Sequence, residues 1–495
     1  MSSKRKIYVT TSIPYVNSRP HIGHALELVQ ADAIARYHRL AGREVCFQTG
    51  TDENAFKNVL AAGALGISPK KLVDLNSGVF QALVQRLNIS ADGFIRTTEL
   101  RHRVGVAAFW NQLKQDDLYV RRYEGLYCVG CEDFYMEKDL VDGKCPDHGL
   151  PPRPVQEENI FFRLSSYQTA IENLIASDRL RVVPSERKNE VLSFIRSGLQ
   201  DISVSRSSER SSGWGIPVPG DPSQVIYVWI DALINYVTGL GFGAGGEWER
   251  TWNEDTWKVH VIGKNVWKFH AVYWPALLLS AQLPLPNELF VHGFLTENGR
   301  KISKSLGNSI DPFEYEARFG ADGLRHYLLK ATSPFDDGDF SSSRIASIYQ
   351  SDLANGLGNL VSRVTSLCSK SGYPEFVAPQ PCDAPPGFEA AFDDYRLGDA
   401  AQILWTVVNS VNRDVTRIRP WELLKSGEHA ALQNHLARWL NAIHQVACWI
   451  GPYLPSASSS ILKTLRTIPL EAANALFPRV QERNLPVPDR PENTE

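Results

Sequence analysis

The opening of the chain constrains its fold more than any other stretch. Residues 6–13 (KIYVTTSI) read as a strand, and Pro14, Asn17, Ser18 and Pro20 break it into a loop. Ile22, Leu26, Val29, Ala33 and Tyr37 then recur at helical spacing over 22–41, up to Gly42. Glu44 to Gln48 read as a second strand running into the loop TGTDEN. A helix between two strands over so short a span is a crossover unit, which implies parallel strands. Parallel sheets gather ligands at the carboxyl ends of their strands. The loops at 14–24 and 49–54 both fall there.

The alternation breaks at residue 116, and 116–224 reads as an insertion with a cysteine cluster and the turn-rich WGIPVPGDP. It resumes at VIYVWIDALINYV (225–237), then KVHVIG (258–263), then a helix expected from Asn265 to about Ser280 with a kink near Pro275. Asn298-Gly299 between two β-like runs predicts a hairpin. From residue 343 the pattern is helical to about 485, interrupted by the Pro-rich 374–386 and followed by a tail, 486–495, expected to be unstructured. The fold class expected is α/β: a Rossmann-type sheet in two halves (1–115 and 225–342) around the insertion, followed by an all-α bundle (343–485).

Composition narrows the class. Apolar residues at 43% and charged residues at 22% are ordinary for a globular chain, and 495 residues suit several domains. A net charge of −3 announces no basic nucleic-acid binder, although one basic face would suffice. The N-terminus lacks the apolar core of a signal peptide, and no run is long enough to span a bilayer. A cytoplasmic location is expected, and in a reducing cytosol clustered cysteines indicate metal rather than disulfides. Cys128, Cys131 and Cys145 cluster, while Cys46, Cys368, Cys382 and Cys448 are scattered.

Three groups of residues carry chemistry. His21 and His24, three apart in Pro20-His21-Ile22-Gly23-His24, share a face at a helix start. Free N–H groups and the helix dipole favour phosphate there, and Gly23 lets a flat ring approach the backbone. In Gly299-Arg300-Lys301-Ile302-Ser303-Lys304-Ser305, the two lysines suit a mobile clamp on a polyphosphate. Cys128-x2-Cys131-x13-Cys145-x2-His148 is a knuckle whose three thiolates and one imidazole fill a tetrahedral Zn²⁺ shell. With no open position, that ion would be structural.

Together, the first two groups resemble the paired HIGH and KMSKS signatures of class I aminoacyl-tRNA synthetases, with Ile302 replacing the Met. Further blocks extend the resemblance over nearly the whole chain, to the methionyl members of that class: TTSIPYVNSRPHIGHALE, TGTDEN, YCVGCEDFY, YVWIDALINY, HVIGKNVWKFHAVYWPA, LANGLGNLVSR and RPWELLK. The resemblance implies activation of L-methionine by ATP with Mg²⁺ and transfer to the 3′ end of initiator and elongator tRNA(Met). It implies ATP contacts at His21, Gly23, His24, Asn265, Lys301, Ser303 and Lys304. His21, His24, Lys301 and Lys304 would serve catalysis. It implies a methionine pocket of Ile13, Tyr15, Asp52, Trp229, Ala232, Tyr236, Phe269, His270 and Trp274, with Asp52 on the ammonium. A flexible thioether suits such aromatic walls. Asn359, Arg363 and Trp421 would read the anticodon, with Asn412 and Arg413 beside them. A separate editing domain and a C-terminal dimerisation module are not expected, which favours a monomer. Two departures stand out. Relatives often carry His where Asn54 stands and Asp where Asn265 stands.

Overall fold

The computed structural model describes residues 6–128, 133–135, 137, 140–146, 149–297, 299–302 and 308–479. They form two compact units, Met1–Pro312 with Ser333–Gly338 and Phe313–Thr332 with Asp339–Glu495.

The first unit is built on a six-stranded sheet, numbered here in chain order: β1 Ile7–Thr11, β2 Val45–Thr51, β3 Gly93–Arg96, β4 Arg181–Val183, β5 Trp257–Gly263 and β6 Glu288–His292. Its order is β3-β2-β1-β5-β6-β4, and every pairing is parallel. β1 and β6 are buried at all positions. That burial explains why they read as near-continuous apolar runs rather than as alternating ones. α1 (Ile22–Leu40) returns from β1 to β2, as the opening alternation requires. The chain winds outward from β1 through β2 to β3, crosses to the far edge at β4, and then restarts beside β1 at β5. The crevice between the carboxyl ends of β1 and β5 is therefore the switch point of a doubly wound sheet.

Two elements differ from expectation. The stretch 116–224 does not stay outside the sheet, because Arg181–Val183 within it pairs with Glu288–Phe290 as the edge strand. Three residues between two helices are too few to show a period. The rest of that stretch is built on a long antiparallel pair, Leu118–Cys128 with Arg153–Phe162. Before Trp274–Ser280 the backbone takes π-helical hydrogen bonding over Phe269–Tyr273. Pro275 has no N–H to offer the preceding turn, and the chain widens there. The hairpin forms as expected, Leu295–Glu297 against Arg300–Lys301, with Gly299 at φ 73°.

The second unit is helical. Ser342–Ile348 runs through π-helical Tyr349–Gly358 into α3 (Asn359–Ser371), which Gly372 ends in the left-handed conformation. α4 (Leu397–Ile418), α2 of the first unit (Val228–Thr238) aside, is followed by α5 (Pro420–Ser426), α6 (His429–Trp449) and the helix Pro455–Leu465. The unit begins one helix earlier than residue 343. The Asp322 carboxylate accepts the N–H groups of Ser456 and Ala457 at 3.3 and 2.8 Å, and Arg325 donates to the Pro452 carbonyl at 2.6 Å. An amphipathic pattern does not state which core will receive its apolar face, so that helix could not be allotted from sequence. Among the described residues no helix is long and apolar enough to cross a membrane.

Candidate active site

His21 is the N-cap of α1. Its Nδ1 accepts the Gly23 N–H at 3.1 Å, and His24 Nδ1 accepts the His21 N–H at 3.0 Å, a reciprocal capping box made of imidazoles. The rings stack at 3.8 Å. Burial, then the neighbouring His21, holds the His24 pKa well below its ordinary value. With Nδ1 accepting, the proton of a neutral imidazole sits on Nε2. The pair thus presents Nε2–H donors at a helix start whose dipole favours an anion, the first N–H groups of the helix being already bonded within the protein. Gly23 has a second role that its sequence context did not reveal. A Cβ there would stand 3.0 Å from His21 Cε1 and 3.1 Å from Nδ1, displacing the ring.

The segment after the lysine loop is tied to this place. The Ile22 N–H donates to the Ile310 carbonyl at 2.9 Å, and Arg19 approaches Asp311 at 3.9 Å. Lys301 is on the second strand of the hairpin, and Ile302 is buried. The apolar swap at 302 therefore fills a core position. Ser303 and Lys304 lie outside the described residues. Asn265 is exposed just past the end of β5, where a Cβ on Gly263 would meet its Oδ1 at 3.1 Å.

Opposite stands an aromatic wall. Tyr15, in the same loop as His21, faces Trp229 at 5.7 Å, and Trp229 stacks on Phe269 at 3.9 Å. Trp229, Ala232 and Tyr236 come from α2, and Phe269 and His270 from the π-helical turn. His270 Nδ1–H donates to the Val266 carbonyl at 2.9 Å, which leaves Nε2 to accept the Tyr236 hydroxyl at 2.6 Å. Burial lowers the His270 pKa to about 4 and raises that of Tyr236 well above its usual value, so both stay neutral. Ile13, Tyr15 and Trp229 are half-buried and border the crevice, whereas Ala232, Tyr236, Phe269 and His270 are buried. Trp274 sits deeper, fully buried between Phe109, Trp252 and Tyr236.

Asp52 ends β2's run beside Tyr15, its N–H donating to the Pro14 carbonyl at 2.8 Å. The Asn54 departure has a structural account. Its amide donates to Asp231 at 2.7 Å and to the Thr97 carbonyl at 3.1 Å, and the other Asp231 oxygen accepts His102 Nε2 at 2.6 Å. Asn54 thus braces the loop carrying Asp52 against α2, which carries the aromatic wall. Glu27 is a residue that the sequence reading missed. It accepts from Ser12 Oγ at 2.6 Å and from His292 Nε2 at 3.0 Å, linking α1 to the ends of β1 and β6. A carboxylate one turn beyond His24 on a half-buried helix face was the available signal.

Cys128 and Cys145 are both buried. Val141 and Lys144 bridge in a tight turn, with Asp142 at φ 52° and Gly143 at φ 73°, and this turn delivers Cys145. Such a turn, with a buried sulfur in each half of the motif, suits a knuckle; Cys131 and His148 lie outside the described residues. In the helical unit, Asn359 is exposed, Arg363 is half-buried with its guanidinium 5.8 Å from the Trp421 ring, and Trp421 is 38% exposed. Pro420 starts α5. Arg413 is exposed, and Asn412 donates to the Gly356 carbonyl at 3.2 Å.

A doubly wound sheet with a histidine pair at its switch point and a lysine hairpin anchored beside it defines a class I aminoacyl-tRNA synthetase. A family model described as tRNA synthetases class I (M) matches residues 7–151 and 148–365. The chain is 40% identical over 482 residues to the methionine–tRNA ligase of Brucella suis, covering 94% of this chain and 92% of that one. It is 39% identical to that of Thermotoga maritima, covering 92% and 75%. Its fold matches Mycobacterium tuberculosis methionyl-tRNA synthetase in complex with methionyl-adenylate, with a TM-score of 0.86 and 36% identity over 97% of this chain and 98% of that one. The chain belongs to the methionine–tRNA ligases of this class.

Proposed function

We propose that the protein converts L-methionine and ATP to methionyl-adenylate and then passes the methionyl group to the 3′ end of initiator and elongator tRNA(Met). The observation that carries this reading is a single segment, 14–24, a loop running into the first turn of α1, that holds the stacked histidine pair at one end and at the other Tyr15, in contact with the aromatic wall. It joins a phosphate site to an apolar amino-acid pocket.

The methionine carboxylate attacks the α-phosphorus in line, a P–O bond forms, and the bond to pyrophosphate breaks. The ribose hydroxyl of the tRNA then takes the acyl group and AMP leaves. No protein nucleophile is required, so the work is positioning and charge stabilisation. His21 and His24 donate to phosphate oxygens from Nε2, with the N-terminus of α1 behind them. Lys301, Ser303 and Lys304 close on the polyphosphate, Asn265 bonds the ribose, and Gly23 admits the nucleotide. Asp52 accepts the substrate ammonium. Ile13, Tyr15, Trp229, Ala232, Tyr236, Phe269 and His270 enclose the thioether chain, and Trp274 backs them. Mg²⁺ arriving with ATP supplies neutralisation of phosphate charge. Cys128, Cys131, Cys145 and His148 fit a structural Zn²⁺. Asn359, Arg363 and Trp421 take the anticodon bases, and the protein works in the cytoplasm.

ATP–pyrophosphate exchange with each amino acid, followed by tRNA charging, tests the reading. Exchange should require methionine, with homocysteine and norleucine as weak competitors because both are unbranched. Equal exchange with leucine or isoleucine would move the chain to another branch of the class. Exchange without charging would make it a small-molecule activating enzyme, and neither activity would make it a binding protein.

A further inference from the structure

Two of the four scattered cysteines are not isolated in space. Cys382, in the Pro-rich loop 374–386, meets His444 and Cys448 on α6, and the three ligand atoms all lie within 4.8 Å of one another. His444 and Cys448 are four apart and so project from one face of the helix. The loop is fastened to that same face. Trp449 Nε1 donates to the Cys382 carbonyl at 3.0 Å, and Gln445 Nε2 to the Asp383 carbonyl at 3.1 Å. The sulfur of Cys382 is thus delivered by side-chain bonds from α6 to its own carbonyl and to the next one. His444 is 5% exposed, and both cysteines are half-buried.

The sulfur–nitrogen spacing is that of two ligands on one ion, and neither cysteine is in a disulfide. Cys448 Sγ stands 3.6 Å from His444 Nε2. With Zn–S near 2.3 Å and Zn–N near 2.05 Å, the S···N edge of a tetrahedral site is about 3.6 Å. We propose that Cys382, His444 and Cys448 form a second metal site, for Zn²⁺, with water in the fourth position. Binding exchanges two S–H protons for two S–Zn bonds and leaves the imidazole neutral.

The site would pin the Pro-rich loop to α6 within the helical unit.

Full-length protein, purified with reductant and without chelator, is assayed for zinc by elemental analysis beside Cys382→Ser and Cys448→Ala. Each variant should carry one equivalent less than the parent, whatever the occupancy of the Cys128 knuckle. Cys128→Ser should lose a different equivalent, and the Cys128→Ser/Cys382→Ser double variant both. In Co²⁺-substituted protein, Cys382→Ser should remove part of the thiolate-to-metal charge-transfer absorption. His444→Gln keeps the volume of the side chain and should lose the same equivalent, which guards against a variant that fails to fold. An unchanged zinc count in Cys382→Ser and His444→Gln overturns the proposal. So does a loss of two titratable thiols without metal, which would mean a Cys382–Cys448 disulfide.

Discussion

Replacing Trp421 with alanine separates recognition of tRNA from amino-acid activation. The ring is 38% exposed, so a face is open to a base, and its held side is the Arg363 guanidinium 5.8 Å from its centroid. Stacking of a base on an aromatic side chain contributes about 1–3 kcal/mol. At 1.4 kcal/mol per decade, that is a loss of roughly five- to 150-fold in the kcat/KM for tRNA charging. The cost to folding is smaller, since an exposed cation–π contact contributes about 0.5–1 kcal/mol. That leaves a domain of ordinary stability folded. Charging should therefore fall while methionine-dependent ATP–pyrophosphate exchange and the melting temperature hold. Trp421→Phe, which keeps a stacking surface, should recover most of the charging. A parallel fall in exchange, or unchanged charging by the alanine variant, would refute the anticodon assignment.

Lys304→Ala should lower the exchange rate by roughly 10²–10³, the range for a lost preorganised donor, with methionine affinity nearly unchanged, as measured by single-turnover adenylate formation. Asn54→Ala removes a 2.7 Å bond to a buried carboxylate and should destabilise the first unit by about 1.5–3 kcal/mol in urea titrations. A neutral result there would mean that the Asn54–Asp231 bond is replaced by water. His270 has a folded pKa of about 4, below the ordinary histidine value, so its contribution is full above pH 6.5 and is lost as the pH falls towards 4. Between pH 7 and 5 the loss is about 2 kcal/mol, and His270→Gln should flatten the stability-versus-pH curve in that window. Cys145→Ser should lower the zinc content and loosen the segment 118–162; undiminished zinc in that variant would remove the knuckle.

What the sequence by itself determined is what depends on near neighbours. The crossover at 6–48 could be read because a helix and its flanking strands declare their periods within a few turns. His21 and His24 could be placed at a helix start because Pro20 and the apolar spacing after it mark that start. Gly299 at φ 73° could be assigned to a hairpin turn because few residues tolerate that backbone. Only the tertiary structure decided the rest, because it depends on groups that the chain separates widely. Asp231 meets Asn54 and His102, Glu27 meets His292, and the three-residue strand Arg181–Val183 finds its place only against Glu288–Phe290. Cys382 meets His444 and Cys448 across the Pro-rich loop. Each of these is a side chain or a short strand satisfied by a partner far along the chain. A local pattern records that a residue can bond, and packing alone records to what.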